Sequence, residues 1–361
     1  MTKTKILITG NEAIAQGAID AGCRFYAGYP ITPQNELPAY MAEHMPEAGG
    51  IFIQAESELA AINMVFGAAA AGARAMTSSS SPGISLKQEG ISYIAGAELP
   101  AVIVNVMRGG PGLGNIWPAQ SDYFQATRGG GHGDYHSIVL APSSVQEAYE
   151  LMFLAFDLSD KYRIPAIILS DGISGQMMEP LQLSVASCQL SDKNNLKTEN
   201  RKLKTKEWAL TGCKGRAPNI VKSFYMKEGD LEKFNLKLQK KYKIIQEKEE
   251  RYESLFLADA GLVLVAYGTM ARIAKNVVHR LRKKGKKLGL IRPIALWPFP
   301  KKIFTNHLTP KTKYLVIEMS HGQMLEDVRL AIDGKAKVEF FGRSGGGVPT
   351  EEEIIKKVIA L

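Results

Sequence analysis

The sequence predicts an α/β protein with mainly parallel sheets, organised as two units. Apolar runs at Leu99 to Val106, Pro165 to Ser170, Gly261 to Ala266 and Tyr314 to Glu318 read as strands covered on both faces. Segments with helical spacing alternate with them, the pattern of βαβ units. A charged stretch with little apolar periodicity, residues 191–255, divides the chain. A linker that long does not fit inside one compact domain, so the expected units are 1–190 and 256–361.

Composition narrows the class. The chain has 361 residues, enough for two cores, and 45% apolar with 22% charged residues is ordinary for a soluble protein. No apolar run is long enough to span a bilayer. The start, MTKTKILITG, reads as a first strand without a cleavage site, so a cytoplasmic protein with no membrane partner is expected. Cys23, Cys188 and Cys213 are far apart and form no CxxC pair, so no metal or iron–sulfur framework is expected on this chain. The formal charge of +9 is concentrated in Lys193 to Lys206, Lys237 to Lys248 and Arg280 to Lys287. Only Tyr242 interleaves with those runs, too few aromatics for a stacking platform, so nucleic acid is not an expected partner. A basic face that docks an acidic protein fits better.

In chain order, Lys5 to Thr9 is β-prone and Glu12 to Ala21 has helical spacing, with Asn11 as the expected cap. Arg24 to Ala27 is a second short strand. The loop GYPITPQNEL follows, with prolines on both sides of Ile31 and Thr32. A residue before proline is biased towards extended backbone, so Thr32 is held ready to present its hydroxyl to a ligand. Thr32 or Asn35 acting as a helix cap is an equal reading of the same spacing.

Gln54 to Gly83 is the centre of the chain. An acidic opening, Glu56, Ser57 and Glu58, runs into a small-residue helix that ends at Gly72. Ala-rich helices are stable and admit close approach. Ser78 to Ser81 followed by Pro82-Gly83 reads as a hydroxyl-rich turn. Acid and hydroxyls look like two sides of a cofactor slot. Beyond the strand at Leu99, Arg108 stands before the glycine-rich GGPGLGNIW. Strand ends followed by glycine loops bind ligands in open α/β sheets. Pro111 spoils any dinucleotide fingerprint. Arg108 there either grips a carboxylate or forms a buried ion pair with an acid such as Asp122.

The run QSDYFQATRGGGHGDY makes a glycine loop in which His132 reads as a hydrogen-bonder. Ile138 to Ala141 is a strand, and Val145 to Leu158 a helix capped by Ser143 or Ser144. Leu231 to Tyr252 is expected as a charged surface helix closing the linker. The second unit reads as strands at Gly261, Leu288, Tyr314 and Val338, with helices from Thr269 to Lys283 and from Gly322 to Ala331. An apolar run from Arg292-Pro293 to Pro300 lies among them. Pro349 and Thr350 open a last helix with three glutamates in its first turn.

With these residues in view, the chain resembles the α-type subunits of the 2-oxoacid:ferredoxin oxidoreductases, most closely the branched-chain (2-oxoisovalerate) members. The matching strings are GYPITPQNE, AESE with GAAAAGARAMTSSSSPGISLKQEG, RGGPGLG, SDYFQATRGGGHGDY, SDGISGQMMEP, VAYGTMARIAK, RPIALWPFP and GRSGGGVPTEEEI, which together run through nearly the whole chain. The resemblance implies a transketolase-like fold. Its thiamin-diphosphate-binding pyrimidine domain would occupy residues 1–190, and a transketolase-C-terminal-like domain residues 256–361. It implies oxidative decarboxylation of a 2-oxoacid to an acyl-CoA, with thiamin diphosphate, coenzyme A and ferredoxin.

Three site residues carry over: Glu58 from the family's SE pair, Thr32 from its YPITP motif, and Arg108 from the end of its strand before the glycine loop. A carboxylate bonded to the aminopyrimidine ring favours the tautomer whose nitrogen takes the thiazolium proton. Glu56 is the rival, and spacing alone does not choose between the two. Thr32 and Arg108 would hold the 2-oxoacid, and Ser80 would lie beside the cofactor. The family's Mg²⁺-anchoring GDG motif is missing, as are cluster cysteines. Mg²⁺ and the iron–sulfur clusters are therefore expected on partners: a thiamin-binding β-type subunit, a γ-type subunit and a ferredoxin-like δ-type subunit. A non-catalytic assembly or docking subunit is the competing class, and pyruvate or 2-oxoglutarate are competing substrates.

Overall fold

A computed structural model describes residues 5–183, 206–307 and 312–361. Cys188 and most of the lysine run at 193–206 lie outside the described residues. In the first unit β1 (Lys5–Thr9) enters α1 (Gly10–Asp20) through Thr9, whose hydroxyl accepts from the Glu12 amide while Glu12 reaches back to the Thr9 amide. Asn11, expected as the cap, is instead buried inside α1, where its Nδ2 donates to the Pro33 carbonyl and to Glu36. The cap lies two residues earlier because Thr9 and Glu12 form a complete capping box.

The chain continues through β2 (Phe25–Gly28), α2 (Glu36–His44), β3 (Ile51–Gln54) and α3 (Glu58–Ala70). Next come β4 (Ala75–Ser79), α4 (Ser81–Gly96), β5 (Ala101–Met107), α5 (Tyr123–Thr127) and β6 (Ile138–Leu140). The unit closes with α6 (Val145–Tyr162), capped by Ser144, then β7 (Pro165–Asp171), α7 (Gly172–Gln176) and β8 (Met178–Gln182).

The serine run is therefore not a turn. Ser78 and Ser79 end a fully buried strand, Ser80 occupies the N-cap position, and Ser81 begins α4 with Pro82 in its first turn. Proline suits that position because its missing N–H would be an orphan there in any case. α8 (Asp230–Lys248) is less of a surface helix than expected, since Leu238, Tyr242 and Ile245 are buried.

The second unit runs β9 (Tyr252–Leu255), β10 (Leu262–Val265), α9 (Gly268–Arg282), β11 (Leu288–Pro293), β12 (Ala295–Trp297) and α10 (Lys301–Asn306). It ends with β13 (Lys313–Glu318), α11 (Gln323–Ile332), β14 (Lys337–Gly342) and α12 (Glu351–Ile359). Thr350 and Glu353 form a capping box at α12, with glutamates through its first turn.

The first sheet has the order β12-β6-β7-β5-β4-β2-β3, parallel except for the β12–β6 pair. Every residue of β5 and β7 is buried, as continuous apolar runs require. β1 pairs with β8 in a separate antiparallel ribbon. The second sheet has the order β14-β13-β10-β11-β9. Two expectations change here. β9 falls before residue 256 yet pairs with β11, and β12, expected in the second unit, extends the first sheet through β6. Each unit thus borrows a strand from outside its expected span. Short polar–apolar runs such as Tyr252–Leu255 carry no signal of which sheet they join.

Strand order reverses at β2. The chain leaves β2 for β3 on one side and returns to β4 on the other. The β2–β4 pairing covers only Phe25↔Ala75 and Tyr26↔Met76, so the two strands part at their carboxyl ends. Open α/β sheets bind ligands in such a crevice. No described helix is long and apolar enough to cross a membrane.

Candidate active site

The crevice is walled by the loop after β2, the β4–α4 junction, the first turn of α3 and the end of β5. Ser57 caps α3 by accepting from the Ala60 amide, which fixes Glu58 as the first helical residue. Glu58 is buried at 6% exposure, whereas Glu56 is exposed. Facing it, Gly83 lies in the first turn of α4. A β-carbon there would fall 2.0 Å from Ser79 Oγ and 2.4 Å from Glu58 Oε1. Glycine is thus required by the approach of α4 to the carboxylate. No hydrogen bond to the Glu58 carboxylate occurs among the described residues.

Thr32 and Arg108 meet directly. The Arg108 guanidinium donates from Nη1 to the Thr32 carbonyl at 3.0 Å and from Nη2 to the Leu113 carbonyl at 3.1 Å. The Thr32 hydroxyl is half-exposed and only loosely engaged, accepting from Asn35 Nδ2 at 3.4 Å, and the Thr32–Pro33 peptide is cis. Asn35 occupies the N-cap position of α2 without a side-chain cap bond. The expected Arg108–Asp122 ion pair does not form. Asp122 instead accepts from Ser81 Oγ at 2.5 Å and Asn105 Nδ2 at 2.9 Å. Burial pushes the Asp122 carboxyl above its ordinary value, and these two bonds oppose the rise. Ser81 also accepts from the Arg108 amide at 3.0 Å, tying α4 to the end of β5. His132 is exposed, and its backbone carbonyl accepts from Ser92.

Polar atoms in the crevice are left over. Thr77 Oγ1, Ser79 Oγ, Ser80 Oγ, Asn105 Oδ1 and Arg108 Nε are buried without hydrogen-bond partners. Buried polar groups are almost always paired, so a cluster of orphans at a crevice marks a place for a polar ligand. The set includes acceptors, hydroxyls and a guanidinium N–H, beside a carboxylate held against a glycine. That donor set fits an aminopyrimidine ring with an anionic acid next to it.

Sequence reasoning did not single out Lys87, and it took Ser79 and Gly83 only as parts of a turn. Ser79 was masked by the reading of its run as a turn. The signal for Gly83 was available, since a glycine in the first turn of a helix points to a close approach. Lys87 is fully buried on α4, donating to the Glu58 carbonyl at 3.4 Å. Burial pushes its ammonium down to about 8, partly offset by the Glu58 charge.

Residues 16–242 match the family model described as pyruvate flavodoxin/ferredoxin oxidoreductase, thiamine diP-binding, and residues 260–354 match pyruvate:ferredoxin oxidoreductase core domain II. The chain is 49% identical over 352 residues to the ketoisovalerate oxidoreductase subunit VorB of Methanothermobacter marburgensis, covering 98% of this chain and 96% of that one. It is 39% identical over 341 residues to the 2-oxoglutarate synthase subunit KorA of Archaeoglobus fulgidus, covering 93% and 94%. Among solved structures it is similar to the 2-oxoglutarate:ferredoxin oxidoreductase from Magnetococcus marinus with 2-oxoglutarate, coenzyme A and succinyl-CoA bound. That match has a TM-score of 0.88 and 28% identity, and it covers 99% of this chain and 65% of the other. A split-gene transketolase at 12% identity and a TM-score of 0.59 shares the fold alone. The chain therefore belongs to the thiamin-diphosphate-binding subunits of the 2-oxoacid:ferredoxin oxidoreductases.

Proposed function

We propose that this chain supplies the activating and substrate-holding half of an active site that converts a 2-oxoacid and coenzyme A to an acyl-CoA, carbon dioxide, a proton and two electrons bound for ferredoxin. The observation that carries the reading is Glu58, buried with an unpartnered carboxylate against Gly83 in the crevice. Bound thiamin diphosphate would supply a carbon nucleophile and an electron sink. Glu58 would hold a proton at the aminopyrimidine ring. Ser79 and Ser80 would orient the ring through their free hydroxyls. Arg108 Nε and the Thr32 hydroxyl would bind the 2-oxoacid carboxylate and carbonyl, with the guanidinium already fixed by two backbone carbonyls.

The 2-oxoisovalerate preference rests on the 49% identity to a ketoisovalerate oxidoreductase subunit over nearly full length. The chain forms no group of three or more possible metal-ligating side chains among its described residues. The diphosphate-anchoring Mg²⁺ and the iron–sulfur clusters belong in this reading to β-, γ- and δ-type partner subunits. The test is anaerobic co-purification of the tagged chain from its native cells, followed by a 2-oxoacid panel with coenzyme A and a dye acceptor. Cysteine-rich and GDG-bearing partners with fastest turnover on 2-oxoisovalerate are expected. Fastest turnover on pyruvate or 2-oxoglutarate overturns the substrate. A chain that comes down with partners but reduces no dye favours the docking-subunit reading.

A further inference from the structure

Gly83, Lys87 and Gly90 lie on one face of α4 at helical spacing, and all three meet α3. A β-carbon on Gly83 would strike Glu58 Oε1, Lys87 donates to the Glu58 carbonyl, and a β-carbon on Gly90 would fall 2.5 Å from Ile62 Cγ2. The two glycines bring the helices close together, and between them stands one long cationic side chain with no exposure. An ammonium has three donors, and here its recorded bond is one carbonyl at 3.4 Å. Packing alone would be served as well by methionine, without the desolvation of a charge.

We propose that Lys87 is a positioning residue for Glu58: its buried ammonium, bonded to the Glu58 carbonyl, sets the position of the first turn of α3 and with it the place of the carboxylate. This rests on the catalytic reading of Glu58. The other titratable groups on the surrounding elements are engaged elsewhere. Tyr26 on β2 bonds Ser78, Arg108 beyond β5 bonds backbone carbonyls, Asp122 is tied to Ser81, Asp171 at the end of β7 caps α7, and Glu89 on the outer face of α4 bonds Tyr93. Glu58 is the charged group that acts on Lys87. The ammonium holds the backbone of the very residue whose side chain faces the crevice, so a shift of that turn moves the carboxylate.

The experiment compares Lys87→Met, Lys87→Arg and Glu58→Gln with the wild type, as isolated chains in thermal unfolding and as assembled complexes in steady-state turnover. Lys87→Met should lower kcat about tenfold, with the KM for the 2-oxoacid within about twofold of wild type. Lys87→Arg should return kcat towards its wild-type value. At pH 7 the isolated Lys87→Met chain should unfold at the same or a higher temperature than the wild type. Between about 8 and 10.5 the unfolded wild-type chain holds more protons than the folded one, so wild-type stability rises with pH there and that of Lys87→Met does not. An unchanged kcat, or a Lys87→Met chain that melts lower at pH 7, overturns the proposal. Glu58→Gln separates the two readings: near-normal turnover there sinks the role of Glu58 itself, whereas a dead Glu58→Gln beside an unchanged Lys87→Met kcat sinks only the role of Lys87.

Discussion

Two buried polar clusters in this chain are built to opposite specifications. At the junction of the two units, Asp171 accepts at Oδ1 from the Ile173 and Ser174 amides and the Thr269 hydroxyl, and at Oδ2 from the Ser174 hydroxyl and the Thr269 amide. Glu318 accepts from Ser320 and from the Met324 and Leu325 amides at the start of α11. Gln120 donates to the Tyr267 carbonyl and accepts from the Met319 amide. Every carboxylate there is spoken for. In the β2–β4 crevice, by contrast, the Glu58 carboxylate takes no hydrogen bond from a described residue, and Ser79, Ser80 and Arg108 each have a buried atom to spare. Satisfied buried charge fixes how the sheets dock, while unsatisfied buried polarity is affordable only where a ligand completes it.

Substitution should split the two clusters cleanly. Glu58→Gln keeps shape and removes charge from the unsatisfied site. Turnover of the assembled complex should fall at least about a hundredfold, the ordinary worth of a positioned proton-transfer group. The unfolding free energy of the isolated chain should change by less than about 1 kcal/mol, because the carboxylate takes no hydrogen bond from a described residue. Steady-state kinetics and denaturant unfolding measure the two quantities. A large stability loss would mean that Glu58 belongs to the structural class after all.

Asp171→Ala tests the other side. It strips acceptors from three amides and two hydroxyls at a buried junction, so it should cost about 3 kcal/mol in denaturant unfolding. Burial pushes the Asp171 carboxyl above its ordinary value, against the pull of those hydrogen bonds. The folded chain thus holds this proton more strongly than the unfolded one. Its contribution to stability is fully present below the unfolded value of 3.8 and is lost as pH rises through the higher folded value. Asp171→Asn should flatten that part of the stability profile. A profile that instead falls with acid in the same way for wild type and Asn variant would show that another group dominates there.

How far the sequence revealed each cluster follows from range. Local signals served well: the buried runs of β5, β7, β10 and β13, a serine cap at 143 or 144, and the helix start at Thr350 were all readable because their causes lie within a few residues. Glu58, Thr32, Ser80 and Arg108 were singled out from motif strings and lie around one crevice. What could not be read were facts set by contact across the fold. Asn11 looks like a cap in sequence but serves Pro33 and Glu36, residues 22 and 25 positions away. Four consecutive serines look like a turn because hydroxyls favour turns. Pairing with β5 makes Ser78 and Ser79 strand instead. β9 and β12 chose their sheets by pairing, which no local pattern encodes. That Glu58 is buried and Glu56 exposed is likewise set by the fold and not by the local string.

The smallest expected effect sharpens the comparison most, because it concerns a single hydroxyl. Ser80 sits at the N-cap of α4 with extended backbone, the position where a serine ordinarily caps its helix, yet its hydroxyl makes no cap bond and is orphaned and buried. A capping serine lost to alanine costs about 1 kcal/mol. An orphaned one loses nothing, and its removal relieves an unsatisfied group. Ser80→Ala should therefore leave the unfolding free energy of the isolated chain within about 0.5 kcal/mol of wild type. In the assembled complex the same change should weaken thiamin diphosphate binding by up to about tenfold, the worth of one hydrogen bond. Calorimetric titration and unfolding of the same variant give both numbers. Loss of stability with unchanged cofactor affinity would turn Ser80 back into a cap, and the crevice would lose one of the orphans on which its reading as a ligand site depends.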